Sequence, residues 1–220
     1  MEASLQQILQ KIILVVPGFL LAVTVHEFAH GYVAYRLGDP TAKNAGRLTF
    51  NPIPHIDPLG AIALVFTQMI GWAKPVPVDM RNLRNPLRDM VWISVAGPAS
   101  NMIAAVGLTV VMHLIMTAGH AGLINQSVAA VVIPFYSMLW IAVQVNVGLA
   151  IFNLLPVPPL DGSKILEGFL PRNIAYQMLQ YEQYGFFILL ALIFFGIANQ
   201  IIGPPIRFVL SLMLTGLPHP

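Results

Sequence analysis

Two histidines and a glutamate stand within five consecutive positions of the chain, in the sequence His26-Glu27-Phe28-Ala29-His30. On an α-helix, residues i and i+4 lie one above the other on the same face, so both imidazoles can turn a nitrogen toward one metal ion. Glu27 falls beside them, where a carboxylate can act on a water molecule at that ion. A shuffled chain of this composition would contain the pattern with a probability of roughly 0.3%. The pattern is therefore unlike a chance match, and we favour a metal site over two histidines that only pack in the core.

The motif lies inside an apolar stretch that runs from Ile12 to about Val33. In a lipid-spanning helix a charged side chain costs about a few kcal/mol unless it finds a partner, so such residues are rare there without a functional role. The spacing indicates that the partner is a metal ion. The chain has no cysteine, so a metal must rely on imidazole and carboxylate ligands, which are typical of catalytic zinc.

The composition describes the kind of chain that carries this motif. Hydrophobic residues make up 57% of it and charged residues 9%, and its mean hydropathy is +0.75. These values indicate an all-α polytopic membrane protein, since about a quarter of the residues of a soluble domain are charged. The 220 residues suit one membrane-embedded domain over 1–220, without an appended soluble domain. The net charge is only +2, and the basic residues cluster in loops beside apolar runs. This pattern favours a role in orienting the chain in a membrane and not nucleic-acid binding.

Apolar runs and breakers predict a transmembrane bundle of about five helices. The first helix covers roughly 8–37 and ends at Gly38-Asp39-Pro40, a glycine cap followed by a proline. Residues 41–58 are turn-rich, and residues 74–89 form a basic loop. The catalytic core covers about 8–165 and the C-terminal helices about 182–217. The later apolar runs are Met90–Ala118, Val128–Asn153, Tyr184–Ile202 and, after the breaker Gly203-Pro204-Pro205, Ile206–Leu217.

The apolar run Leu59–Trp72 decides the topology. As a helix its 14 residues would span about 21 Å, short of the ~30 Å hydrocarbon core. If it crossed, the basic residues would divide seven against four between the two sides; if it re-entered, they would divide nine against two. The positive-inside rule favours the second layout and makes the side with nine basic residues cytoplasmic. We therefore predict a re-entrant segment, buried by protein.

Asp161 is the leading candidate for a third metal ligand. It follows the Val128–Asn153 span, and the re-entrant layout brings it to the cytoplasmic half of the membrane, toward which His26 and His30 also lie. Two histidines and one carboxylate form a common zinc ligand set. From Ile12 to His26 the helix rises about 21 Å, which places the zinc roughly two-thirds of the way through a ~30 Å core.

The chain resembles the site-2 protease family of intramembrane zinc metalloproteases. Three motifs carry the resemblance in order: His26-Glu27-x-x-His30, then Gly97-Pro98-x-x-Asn101, then Asn153-x-x-Pro156-x-x-x-Leu160-Asp161-Gly162. The resemblance implies a three-helix catalytic core, with one zinc ion bound by His26, His30 and Asp161 and with Glu27 as the catalytic acid and base. It also implies a re-entrant, partly strand-like element at about 47–72. The chain looks like a minimal form without a PDZ or CBS domain.

The function implied is hydrolysis of peptide bonds in or near the transmembrane segments of membrane protein substrates, as in regulated intramembrane proteolysis. The partners are then a transmembrane protein substrate and the lipid bilayer, with no nucleic acid. The expected location is the cell membrane of a prokaryote, in a multi-pass topology with the active site toward the cytoplasmic side.

Three asparagines are candidates for lining a polar cavity beside the metal. Asn101 and Asn153 belong to the motifs above and are tentative substrate-binding residues, while Asn146 shares a helix face with Asn153 two turns away. Each of them has an alternative role as an interhelical hydrogen bond that only stabilises the bundle. A further histidine, His55, lies near prolines in the loop and is expected to be solvated.

Two other function classes remain. Intramembrane histidine and aspartate also mark ion pathways, so a metal transporter is one alternative. Glu27 argues against it, because a transporter does not need an acid and base beside two stacked ligands. The other alternative is an inactive adaptor that binds client helices, and the intact set of His26, Glu27, His30 and Asp161 argues against that.

Overall fold

The computed structural model describes residues 5–60, residue 62 and residues 71–220. Long helices dominate these residues, joined by short helices and loops. Two 3₁₀ turns, Ile53–His55 and Met80–Asn82, lie in the region between the first two long helices. We label the helices α1 (Leu5–Leu37), α2 (Thr41–Asn44), α3 (Pro86–His120), α4 (Gln126–Asn153), α5 (Asp161–Phe169), α6 (Arg172–Phe194) and α7 (Ile197–Met213).

Three of these helices are long and apolar enough to cross a membrane: the Ile12–Leu37 part of α1, all of α3 and all of α4. A fourth crossing would exist if the bent pair Gln180–Phe194 and Ile197–Met213 formed one span; its two halves meet at 76°. The prediction of an all-α polytopic membrane protein is confirmed. The three predicted spans on α1, α3 and α4 agree with the observed helices to within a few residues.

The predicted break at Gly203-Pro204-Pro205 is wrong. Helix α7 runs through Pro204 and Pro205, and the chain turns earlier, at Gly196, where φ is +72°. A left-handed φ strains residues with a side chain and is open to glycine, so Gly196 ends α6 more effectively than the prolines end α7. Helices in membrane proteins tolerate interior prolines because neighbouring groups satisfy the freed carbonyls.

The ends of the predicted re-entrant segment lie side by side. Ile56 and Ala73 form an isolated antiparallel β-bridge, and the Lys74 N–H donates to the carbonyl of His55 at 3.0 Å. Adjacent ends are what a re-entrant segment requires, but the path between them, in 61 and 63–70, lies outside the described residues. Among the residues that are described here, strand character is limited to this bridge.

Asp39, just beyond α1, anchors the loop that leads into α3. Its carboxylate is buried and accepts hydrogen bonds from the backbone N–H of Asp79 at 2.8 Å and the side-chain amide of Asn82 at 2.9 Å. Burial alone would raise the pKa of Asp39, but the hydrogen bonds from Thr41, Asn82 and Asp79 together hold that pKa below its usual value. The loop residues 74–82 are thereby fixed against the end of α1.

The two ends of the bundle differ in the side chains that fill their interior. At one end, which we call the apolar end, Met112 of α3 packs with Trp140 and Val143 of α4 and with Leu217 of the C-terminal tail. Tyr136 fixes that tail through a hydrogen bond from its hydroxyl to the carbonyl of Pro218, at 3.1 Å. The other end of α1, α3 and α4 is the polar end, and it holds the candidate site.

Candidate metal centre

Three predicted metal ligands meet at the polar end. His26 and His30 project from α1, and Asp161 is the first residue of α5. The Nε2 atoms of the two histidines lie 3.1 Å and 3.2 Å from Oδ2 of Asp161. These three side chains are the one group of histidine and carboxylate residues, among those that the structure describes, whose ligand atoms lie close enough to hold a metal ion.

The hydrogen bonds behind His30 determine which of its ring nitrogens faces the cluster. Nδ1 of His30 lies 2.7 Å from the carbonyl oxygen of Ile93 on α3. A carbonyl oxygen can only accept, so Nδ1 carries a hydrogen, and in the neutral imidazole Nε2 keeps a lone pair. A bond of this type commonly sets the tautomer of a metal-binding histidine.

His26 is oriented by a chain of two buried asparagines. Its Nδ1 lies 2.7 Å from Oδ1 of Asn101, whose amide nitrogen donates to the carbonyl of Ala22 at 2.8 Å and to Oδ1 of Asn146 at 3.0 Å. Asn146 in turn donates to the carbonyl of Ala142 at 2.8 Å. The two backbone carbonyls fix both amide orientations, so Nδ1 of His26 must donate and its Nε2 also keeps a lone pair.

With both imidazoles neutral, as metal binding requires, the cluster presents three acceptor atoms and no donor among them. Oδ2 of Asp161 is buried and has no hydrogen-bond partner in the described part of the chain, and the two Nε2 atoms beside it carry lone pairs. Three lone pairs this close repel one another unless a cation lies between them. Their separations also suit zinc, because bonds of about 2.0 Å at tetrahedral angles place ligand atoms about 3.3 Å apart. The residues fit a zinc ion.

Two glycines leave the space that this arrangement needs. A methyl group at Gly97 would overlap the imidazole of His30, and one at Gly162 would overlap the carbonyl oxygens of Leu154 and Leu155. Gly97 lets α3 approach the histidines, and Gly162 lets α5 start close to the end of α4. In the sequence both stand in motifs, but the contacts that require Gly97 involve histidines far away in the chain, whereas those of Gly162 are to the nearby end of α4.

Glu27 points into a cavity beside the cluster. Its Oε2 accepts a hydrogen bond from the backbone N–H of Val76 at 2.8 Å, a partner that the sequence does not indicate. The cavity has a volume of about 390 Å³. Its lining includes the residues His26, Glu27, His30, Pro75, Val76, Val78, Asn153, Asp161, Lys164, Glu167 and Glu182.

The asparagines fall into two groups. Asn101 and Asn146 are fully buried behind His26, so the expectation that they line the cavity is wrong for both. Asn153 does line it, and its amide nitrogen donates to the Leu149 carbonyl of its own helix at 2.9 Å. A substrate-binding role for Asn153 stays a prediction.

His55 is not solvated as expected. It is fully buried, its Nε2 lies 3.0 Å from the Thr49 carbonyl, and its Nδ1 lies 3.5 Å from a guanidinium nitrogen of Arg47. Arg47 also donates to the Lys74 carbonyl at 2.6 Å. His55 and Arg47 thus hold the two ends of the loop together, a structural role that the prolines around His55 do not reveal.

The comparisons with known proteins are consistent with this geometry. The sequence model of peptidase family M50 matches residues 14–196. The chain is 42% identical, over 84% of its length and 82% of the relative's, to the Bacillus subtilis protein named "Putative zinc metalloprotease YwhC". It is 29% identical, over 86% of its length and 69% of the relative's, to "Putative zinc metalloprotease Rip2" of Mycolicibacterium smegmatis. No solved structure matches the chain at a significant level.

Proposed function

Since the chain belongs to peptidase family M50, the site-2 protease family, and is an integral membrane protein, we propose that it is an intramembrane zinc metalloendopeptidase. Its substrates are membrane proteins, cut in or near their transmembrane segments. The observation that carries the proposal is the convergence of three acceptor atoms, on His26, His30 and Asp161, beside the carboxylate of Glu27. The whole group lies on or against an apolar helix of membrane-spanning length.

His26, His30 and Asp161 would hold the zinc ion. When bound, the ion would polarise the scissile carbonyl and acidify a water molecule, so that attack is feasible near neutral pH. Asn101 and the Ile93 carbonyl keep the two imidazoles in the ligating tautomer without touching the ion. These partners also make the imidazoles better donors toward a cation.

Glu27 is the acid and base of the proposed reaction. Its carboxylate takes a proton from the water as the water oxygen bonds to the scissile carbonyl carbon, and it then gives that proton to the leaving amine nitrogen as the C–N bond breaks. The Val76 N–H holds one carboxylate oxygen, Oε2. The other oxygen, Oε1, is the one that this contact leaves available for the proton.

The cavity provides the water that hydrolysis consumes. It is lined by Lys164, Glu167 and Glu182 in addition to the ligands, and such charged walls hold water inside a largely apolar protein. The excess of basic residues on the loops beside the cavity supports a cytoplasmic opening. On this basis, and because the relatives come from bacteria, we place the active site toward the cytoplasmic side of a prokaryotic cell membrane.

A cleavage assay in detergent with a model transmembrane substrate tests the proposal. We expect Glu27→Gln to lower kcat by at least about 100-fold, because it removes the proton acceptor, and to leave one zinc ion per chain. Glutamine is nearly isosteric and keeps an oxygen for the Val76 N–H, so the comparison isolates the proton transfer. Equal cleavage by both forms, or cleavage by neither while zinc is bound, would overturn the protease assignment.

The same preparation separates the protease from a metal transporter. Removing zinc with a chelator should abolish cleavage, and adding back one equivalent should restore it. Zinc uptake into sealed vesicles that is retained in Glu27→Gln would support the transporter, because transport does not require the proton acceptor.

A further inference from the structure

The cavity contains a buried carboxylate that the proposed mechanism does not use. Glu167 on α5 lines the cavity and is only 5% exposed. Among the side chains that the structure describes, none forms a hydrogen bond or an ion pair with its carboxylate. Because Glu167 faces the cavity from a largely buried side chain, its carboxylate needs a water molecule or a cationic group in that cavity as a partner.

A second carboxylate faces the same space from another helix. Glu182 on α6 also lines the cavity, with Lys164 nearby on α5. Burial first, and then the negative charge of Glu182, raise the pKa of Glu167, while Lys164 acts in the opposite direction. One lysine thus offsets only part of the unfavourable environment, and a further positive charge between the two carboxylates would relieve their repulsion.

We propose that Glu167 and Glu182 form an acidic subsite that binds a lysine or arginine side chain of the substrate near the scissile bond. This inference rests on the proposed function and adds a substrate preference to it. Membrane proteins concentrate lysine and arginine at the cytoplasmic ends of their transmembrane segments. A protease whose cavity opens to the cytoplasm meets those residues when it cuts near that end.

The distance along α5 gives an expected position for the cationic side chain of the substrate. Glu167 follows Asp161 by six residues, which is about 9 Å along α5 at 1.5 Å per residue. For a substrate that runs extended alongside α5, at about 3.3 Å per residue, the cationic side chain would lie roughly three residues from the scissile bond. A preference for lysine or arginine at that one position would distinguish the subsite from a general attraction of basic substrates.

Matched substrates test the subsite. A model transmembrane substrate would carry lysine, glutamine or glutamate at the second, third or fourth residue from the scissile bond, on either side of it. We expect kcat/KM to favour lysine over glutamate by on the order of tenfold at one of these positions, as for a partly buried ion pair. The double variant Glu167→Gln, Glu182→Gln should bring that ratio close to one, with zinc content unchanged.

Two further variants sharpen the result. Lys164→Gln should increase the preference for lysine, because it removes the cation that competes for the carboxylates. Glu182→Gln alone, at a less buried position, should reduce the preference and serves if the double variant does not fold.

The outcomes distinguish a failure of the acidic subsite from a failure of the proposed protease function. Glu27-dependent cleavage with the same lysine-to-glutamate ratio in wild type and in the Glu182→Gln and double variants would overturn the subsite alone. A second zinc equivalent, bound by the wild type and lost in the double variant, would also overturn it, since the pair would then be a metal site. Cleavage that does not depend on Glu27 would overturn the proposed function, and the inference with it.

Discussion

The two ends of the helix bundle differ in the contacts that join their helices. At the polar end, α1, α3 and α4 meet through hydrogen bonds among His26, Asn101 and Asn146, all buried. At the apolar end, α3 and α4 meet through Met112, Val143 and their neighbours, with the C-terminal tail packed against them. Apolar contacts join helices at both ends, as Ala34 and Ile93 do beside His30, but the polar end adds buried hydrogen bonds between helices. We therefore expect stability and metal binding to be separable.

The difference indicates which end requires precise side-chain positions. Apolar packing tolerates small displacements, because it has no preferred direction and neighbouring side chains can adjust. The imidazole of His26 must present Nε2 within a few tenths of an ångström of its position, and the asparagine pair provides that constraint. Substitutions at the two ends should therefore change different measured quantities.

The largest contrast is expected between two glycines of α3. A methyl group at Gly97 would overlap His30, whereas Gly107, ten residues later, has no atom within 4 Å of such a group. Gly97→Ala should displace His30 and abolish stoichiometric zinc binding. Gly107→Ala should keep one zinc ion and stabilise the helix by up to about 1 kcal/mol. Zinc content and thermal unfolding of both variants check this, and a zinc-replete Gly97→Ala would contradict the position of His30.

Asn101→Ala should have the next largest effect. It removes the acceptor for Nδ1 of His26, and loss of such a partner costs about 10- to 100-fold in metal affinity. Asn146→Ala is the matched control, since it acts on His26 only through Asn101 and should weaken zinc binding less. Competition with a calibrated zinc chelator measures both, and equal effects would show that the pair contributes only to helix packing.

Met112→Ala should have the smallest effect on metal binding and a clear effect on stability. The side chain is fully buried at the apolar end, and its truncation should cost about 2 kcal/mol of unfolding free energy. The zinc affinity of the folded fraction should match that of the wild type. A drop in zinc affinity comparable to that of Asn101→Ala would mean that the two ends are coupled.

Local patterns were enough to predict the long helices α1, α3 and α4 and the pair His26 and His30, while Asp161 was a candidate from the predicted topology and the family resemblance. The i, i+4 spacing of His26 and His30 is a property of any helix, so it survives into the structure, and apolar length located α1, α3 and α4. Contacts between distant residues were not predictable in this way. The Val76 N–H on Glu27 joins residues 49 positions apart, and no pattern in a single sequence encodes that pairing.

The C-terminal region and His55 show two other limits. Pro204 and Pro205 are strong helix breakers in water, but interior prolines are tolerated in membrane helices, so their weight was overestimated. His55 was expected to be solvated because it lies in a loop. Its burial depends on Arg47 and on the return of the chain at Lys74, neither of which is local to it.

The bridge between Ile56 and Ala73 also bears on how chains of this kind can diverge. A loop that is closed at its base can lengthen or shorten at a cost of only about 0.6 kcal/mol per doubling in length. The bridge and the Arg47 contacts form that base, and Val76 follows it directly. Insertions between the bridged residues would leave the amide that holds Glu27 where it is, so this stretch can change in length while the chemistry stays the same.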